Sequence, residues 1–167
     1  MLDAVKSLYH YNTWATERLF DNLKQLSEQE YSASGCSGHG SIKDTLAHCL
    51  TSQWGWLSWL DGSMTVAEAM SARLTDNDLA SLENVGKKWN SIDSQTGKYI
   101  DSLTDEKARA IHEVITPDGQ RYTPLLGELL LHLANHGTHH RAQIIAAIRR
   151  AGYSPGSYDL LHQLLGR

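Results

Sequence analysis

Four of the nine histidines fall within one stretch near the C-terminal end, residues 129–148, which reads LLLHLANHGTHHRAQIIAAI. His136 and His140 are four residues apart, so on a helix they lie one above the other on the same face. Leu129 and Leu133 extend that register backward, and Gln143, Ile144 and Ala147 extend it forward, so two imidazoles interrupt an otherwise apolar stripe. The chemistry such a pair suits is metal coordination. Neutral imidazole is the commonest protein ligand for transition metals, and an i, i+4 pair grips one ion from one rigid helix. A pair of hydrogen-bonded core histidines has the same spacing, and this segment alone leaves both readings open. His132 lies one turn before His136, whereas His139 neighbours His140 and points about 100° away from it.

A metal centre needs a third ligand from another element. Ser41 followed by Asp44 is a helix start signal resembling a capping box, and the helix it opens runs to about Leu60 before Asp61 and Gly62. Its core face is Ile42, Leu46, Cys49, Gln53, Trp56 and Leu60, with His48 at the margin, in line with Ser52, Gly55 and Trp59. Small residues beside a histidine leave space for a ligand, although a single histidine at a core margin is more often just hydrogen-bonded. Cys49 reads most simply as a small core residue, with a soft-ligand role as the alternative.

The elements that position these residues follow from the hydrophobic period. Val5, Leu8, Ala15, Leu19, Leu23 and Leu26 mark a first helix over residues 2–26, with Asn12 on its buried stripe. Residues 63–74 read as a connection with a short helical piece, VAEAM. A third helix is expected from Thr75 and Asp76 to Leu103, with Gly86 and Gly97 as places where backbones approach. IHEVI, TPDG and QRYT suggest a small hairpin turning on Pro117, Asp118 and Gly119. Pro124 then opens a fourth helix running to about Ala151, and the tail carries a short amphipathic helix. The expected fold is therefore all-α: a single domain over residues 1–167, built as an antiparallel four-helix bundle with a hairpin between helices three and four. Helices two and four of such a bundle can face each other, which would bring His48 toward His136 and His140.

The bulk composition excludes several classes. A formal net charge of -4 and no dense Lys/Arg run argue against nucleic acid as a partner. The N-terminal stretch has no apolar signal region, and no run approaches the length of a membrane span, so no membrane partner is expected. Two cysteines, Cys36 and Cys49, are too few for a disulfide framework and fit a reducing cytoplasm.

Three separated segments, YNTWATERL in the first helix, HGSIKDTLAH leading into the second and HLANHGTHHRAQI in the fourth, resemble the DinB-like (DinB/YfiT-related) metalloprotein family in the right order along the chain. The resemblance implies a four-helix bundle of unusual connectivity, often dimeric. It also implies a divalent metal held by one histidine of helix two and an H-x-x-x-H pair of helix four, here His48, His136 and His140. Members with assigned chemistry are metal-dependent transferases and isomerases that act with low-molecular-weight thiols such as bacillithiol or mycothiol.

Three functions are then in play. In the first, the ion activates a small thiol for transfer to an electrophile, with Asn12, Gln143, Ser52 and Trp59 orienting substrate or ligands. In the second, the protein is a hydrolase with a water on the ion, Glu128 being one candidate base; the His segment lacks the internal Glu of H-E-x-x-H. In the third, the protein is a non-catalytic stress-response metal binder, which would need a fourth protein ligand, with His132 or Cys49 the nearest supply. Imidazole ligands suit Zn, Ni and Fe alike.

Overall fold

The computed structural model describes residues 1–36, 38–115 and 118–166. Four long helices form the body: α1 (Leu2–Leu23), α3 (Ile42–Leu60), α5 (Leu82–Asp101) and α7 (Leu126–Arg150). Short helices α2 (Glu28–Ser32), α4 (Val66–Ser71), α6 (Asp105–Ala108) and α8 (Leu160–Leu164) lie between or after them. Strand β1 (Ser34–Cys36) pairs with β2 (Gly40–Ser41), and β3 (Val114–Ile115) pairs with β4 (Arg121–Tyr122), both antiparallel. The chain is thus an all-α bundle with two minimal hairpins.

Helices α5 and α7 each pack against both α1 and α3. Cross-contacts give the directions. Leu2 and Val5 share an apolar cluster with Leu126, Leu129 and Leu130 while Asn12 meets Arg141, so α1 and α7 run parallel. Trp54 lies over Lys88 while the Leu60 carbonyl accepts from Tyr99, so α3 and α5 are parallel too. His48 faces His136 while Trp56 faces His132, which makes α3 antiparallel to α7. Thr13 bonds Asp93 while Phe20 meets Trp89, which makes α1 antiparallel to α5. This mixture of parallel and antiparallel neighbours requires long crossovers, and the hairpins and short helices supply them.

Two apolar clusters fill the bundle. One gathers Leu19, Leu23, Leu46, Leu50, Trp89, Ile92, Ile144 and Ile148, and the other Val5, Tyr9, Ile100, Leu126, Leu130 and Leu133. Burying each large aliphatic side chain contributes about 1.5–3 kcal/mol relative to exposure. Between the clusters lies a buried polar layer. Arg141, only 3% exposed, donates to the Asn12 Oδ1 and to Thr138 Oγ1 at 3.1 Å, and its guanidinium lies 5.5 Å from the Tyr11 ring. Gln53 reaches Asp93 at 3.3 Å, and Asp93 also accepts from Thr13 at 2.7 Å. A desolvated guanidinium is tolerated because these acceptors and the aromatic face replace water.

Some boundaries differ from the sequence expectation. The first helix stops at Leu23, because Ser27 and Glu30 form a capping box that starts α2. Residues 75–80 form a turn in which Asp78 accepts from the Thr75 backbone and hydroxyl, and α5 begins only after Ser81 caps Asn84. Pro124 precedes α7 rather than lying in its first turn; its carbonyl accepts from the His112 backbone, which closes the hairpin against the helix start. That hairpin is present as expected, with Thr116 and Pro117 of its turn outside the described residues. Neither Gly86 nor Gly97 meets a neighbouring backbone: an added Cβ would make ordinary contact with Phe20 at the first and touch nothing within 4 Å at the second. Gly55 is the close approach, where a Cβ would lie 2.8 Å from the Ala69 carbonyl, so α4 packs directly on the α3 backbone. Trp14, Trp54 and Tyr158 are half-buried within the chain: Trp14 meets Tyr11 and Arg18, Trp54 meets Lys88, and Tyr158 meets Asn22.

Candidate metal centre

The antiparallel pairing of α3 and α7 brings His48, His136 and His140 together. The Nε2 atoms of His48 and His136 are 3.2 Å apart. Ring centroids are 4.8 Å apart between His48 and His140 and 4.5 Å between His136 and His140. A fourth imidazole joins them: His39, in the turn between β1 and β2, stacks on His48 with centroids 3.8 Å apart and an interplanar angle of 22°. Ligand atoms of His39, His48 and His140 all lie within 4.8 Å of one another, close enough to share one ion.

The electrostatics favour the ligating form. Burial, followed by the neighbouring imidazoles, pulls the pKa values of His48 and His136 down to about 4. His140 is lowered as well, mainly by burial, although its bond to Gln143 opposes the shift. A cluster of neutral imidazoles presents lone pairs rather than mutually repelling charges, and that is the protonation state a metal requires. Gln143 sets the tautomer. Its Oε1 accepts from His140 Nδ1 at 2.8 Å and its Nε2 donates to His139 Nε2 at 3.0 Å, which leaves the His140 Nε2 lone pair free to face the cluster. The donor set therefore fits a divalent transition metal.

A cavity of about 740 Å³ opens beside this cluster. It begins at His48 and runs past Ser52, Gly55, Trp56 and Trp59 to Met70 on α4 and Val114 and Ile115 on β3. Trp56 and Trp59 meet edge to face at 5.5 Å, and His112 packs on Trp59 at 5.9 Å. Among the described residues lining it there is no carboxylate, and Arg73 is the one charged side chain of fixed sign.

The expected site residues thus divide. Gln143 contacts His140 directly, and Ser52 and Trp59 line the cavity. Asn12 is turned to Arg141 and belongs to the polar layer; Gly137 gives it room, since a Cβ there would lie 2.8 Å from its Oδ1. His132 sits 6.2 Å from His136 and packs on Trp56 instead. Cys49 is buried in the larger core cluster, and burial pushes its thiol up to about 12. Glu128 accepts from the Leu125 backbone at the start of α7, away from the cavity. The residue that sequence periodicity missed is His39, because a Gly-flanked turn carries no period. The available signal was a histidine placed two residues before the Ser41 cap of the helix that bears His48.

The chain is thus of the class of helical bundles in which imidazoles from facing helices converge and could hold a metal. Within that class the assignment is specific: the DinB family model matches residues 1–165, and the chain belongs to this family. It is similar to Protein DinB of Bacillus subtilis (strain 168), 28% identical over 165 residues that span 95% of this chain and 92% of that protein. The uncharacterized protein YizA of the same strain is 25% identical over 157 residues, 94% of each chain.

Proposed function

We propose that the protein is a metal-dependent enzyme that activates a low-molecular-weight thiol for transfer to an apolar electrophile, with the metal held by His48, His136 and His140. The observation that carries this reading is the junction of the imidazole cluster with the apolar cavity at His48, which belongs to both. A divalent zinc, nickel or iron ion bound there would supply Lewis acidity that lowers the pKa of a thiol. The chain supplies the rest. Gln143 fixes the His140 ring, Trp56 and Trp59 give flat apolar walls that exclude water from the electrophile, and the Ser52 and Thr51 hydroxyls offer hydrogen bonds along one side.

The lining explains why hydrolysis ranks below transfer. A hydrolase site would be expected to place a general base near the reacting water, and the described residues of the cavity lining include no carboxylate. No helix among the described residues is long and apolar enough to cross a membrane. The reading includes a cytoplasmic location, which would keep such a thiol reduced, and a homodimer, the latter resting on family membership.

The test is thiol consumption with a chromogenic aryl halide, measured on protein reconstituted with zinc or nickel and screened against cysteine, glutathione, bacillithiol and mycothiol. Metal-dependent adduct formation that disappears in His136→Ala is expected. Metal binding without adduct from any thiol would instead favour a non-catalytic metal binder.

A further inference from the structure

His39 joins His48 and His140 in the group whose ligand atoms lie within 4.8 Å of one another, and His136 approaches that group through its 3.2 Å contact with His48. Described residues on either side of His39 are tied down. Arg150 donates to the Gly35 carbonyl at 2.7 Å, which ties β1 to the end of α7. Gly38 lies so close to Gln143 that a Cβ would come within 2.8 Å of the amide oxygen, and its φ of +110° is one that side-chain-bearing residues rarely adopt. On the other side, Ser41 ends β2 and caps α3, so the turn leads directly into the helix that carries His48. The backbone around His39 is thereby held from three directions, yet among the described residues its ring makes no hydrogen bond and is exposed, except where it stacks on His48 and approaches His140 to 5.2 Å.

From this placement we propose that His39 is a fourth protein ligand of the metal centre, occupying the position otherwise open to an exogenous group, so that a thiol enters by displacing it. The inference rests on the metal-dependent reading above. His39 suits displacement better than the other three. It is the exposed member of the cluster and comes from a hairpin turn, whereas His48, His136 and His140 project from long helices and are buried or half-buried. An imidazole on a short, glycine-rich turn would hold the ion while no substrate is present, without closing the site permanently as four helix-borne ligands would. The direction of the exchange is balanced: the neutral imidazole of His39 leaves as the thiolate sulfur takes its place, and the thiol proton passes to solvent.

Cobalt(II) serves as the probe, because its visible absorption reports ligand number and type. Wild type, His39→Ala, His39→Phe and His39→Cys would be titrated with cobalt and then with 2-mercaptoethanol, and zinc affinity measured by competition with a chromophoric chelator. If His39 is a ligand, both Ala and Phe variants bind zinc more weakly, by at least the roughly 10–100-fold that an outer-shell partner is worth. They also change the cobalt spectrum alike and take up 2-mercaptoethanol at lower concentration than wild type. His39→Cys should add a sulfur-to-cobalt charge-transfer band. The phenylalanine variant separates ligation from stacking, since it keeps a ring against His48 but offers no lone pair. A His39→Phe protein with wild-type zinc affinity and an unchanged cobalt spectrum would overturn the inference while leaving the three-histidine centre intact. A wild type that binds no cobalt would overturn both.

Discussion

His140 Nδ1 and Gln143 Oε1 lie 2.8 Å apart, one turn along the same helix, and the other end of that amide donates to His139 at 3.0 Å. The pair converts a sequence spacing of three into a fixed tautomer and a fixed ring orientation at the most buried imidazole of the cluster.

Replacing Gln143 with leucine should therefore weaken metal binding without unfolding the bundle. Gln143 is half-buried and the substitution keeps its approximate volume. Chelator competition is expected to show a loss of about 10–100-fold in zinc affinity, with little change in the urea midpoint. Unchanged affinity would mean that the ring is held by packing alone.

Cys49 offers a pH-dependent test. The reactive species of cysteine is the thiolate, and burial pushes this thiol up to about 12, so at pH 8 the group is almost wholly protonated as well as enclosed. Iodoacetamide at pH 8 should leave Cys49 unmodified in the native protein and alkylate it in guanidinium, as read by peptide mass spectrometry. The protection should persist until pH rises toward 12. Rapid native alkylation would place Cys49 at an accessible site instead of in the core.

Two glycines predict opposite signs for the same substitution. At Gly97 an added methyl meets nothing within 4 Å, so Gly97→Ala should stabilise the protein by about 0.5–1 kcal/mol through helix propensity. At Gly137 the methyl would lie 2.8 Å from Asn12 Oδ1 and 3.0 Å from Arg141 Nη1, both in the buried polar layer. Gly137→Ala should therefore destabilise, despite the same propensity gain, because a buried guanidinium loses its partner geometry. Equilibrium urea unfolding of both variants checks this.

Much of this architecture was legible in the sequence, for identifiable reasons. The 3.6-residue period located all four long helices, α1, α3, α5 and α7, and the i, i+4 pair located the face of α7 that carries His136 and His140. The hairpin at residues 114–122 followed from turn chemistry. Local periodicity does not choose between competing caps, so the start expected at Thr75 lies instead at Ser81. It also could not reveal which buried polar residue faces which. Asn12 and Gln143 both lie on helix stripes, yet Gln143 meets His140 within its own helix whereas Asn12 meets Arg141 across 129 residues, a pairing set by bundle packing. His39 was invisible for the same reason: its proximity to His48 and His140 arises only when the turn folds back on α7.

The central claim is tested most directly by elemental analysis of protein purified without an affinity tag or chelator, beside His48→Ala, His136→Ala and His140→Ala, with His132→Ala as the control. The account predicts near-stoichiometric zinc, nickel or iron in the wild type and in His132→Ala, and its loss in the other three variants. No metal in the wild type even after reconstitution, or metal retained in all three variants, would contradict it.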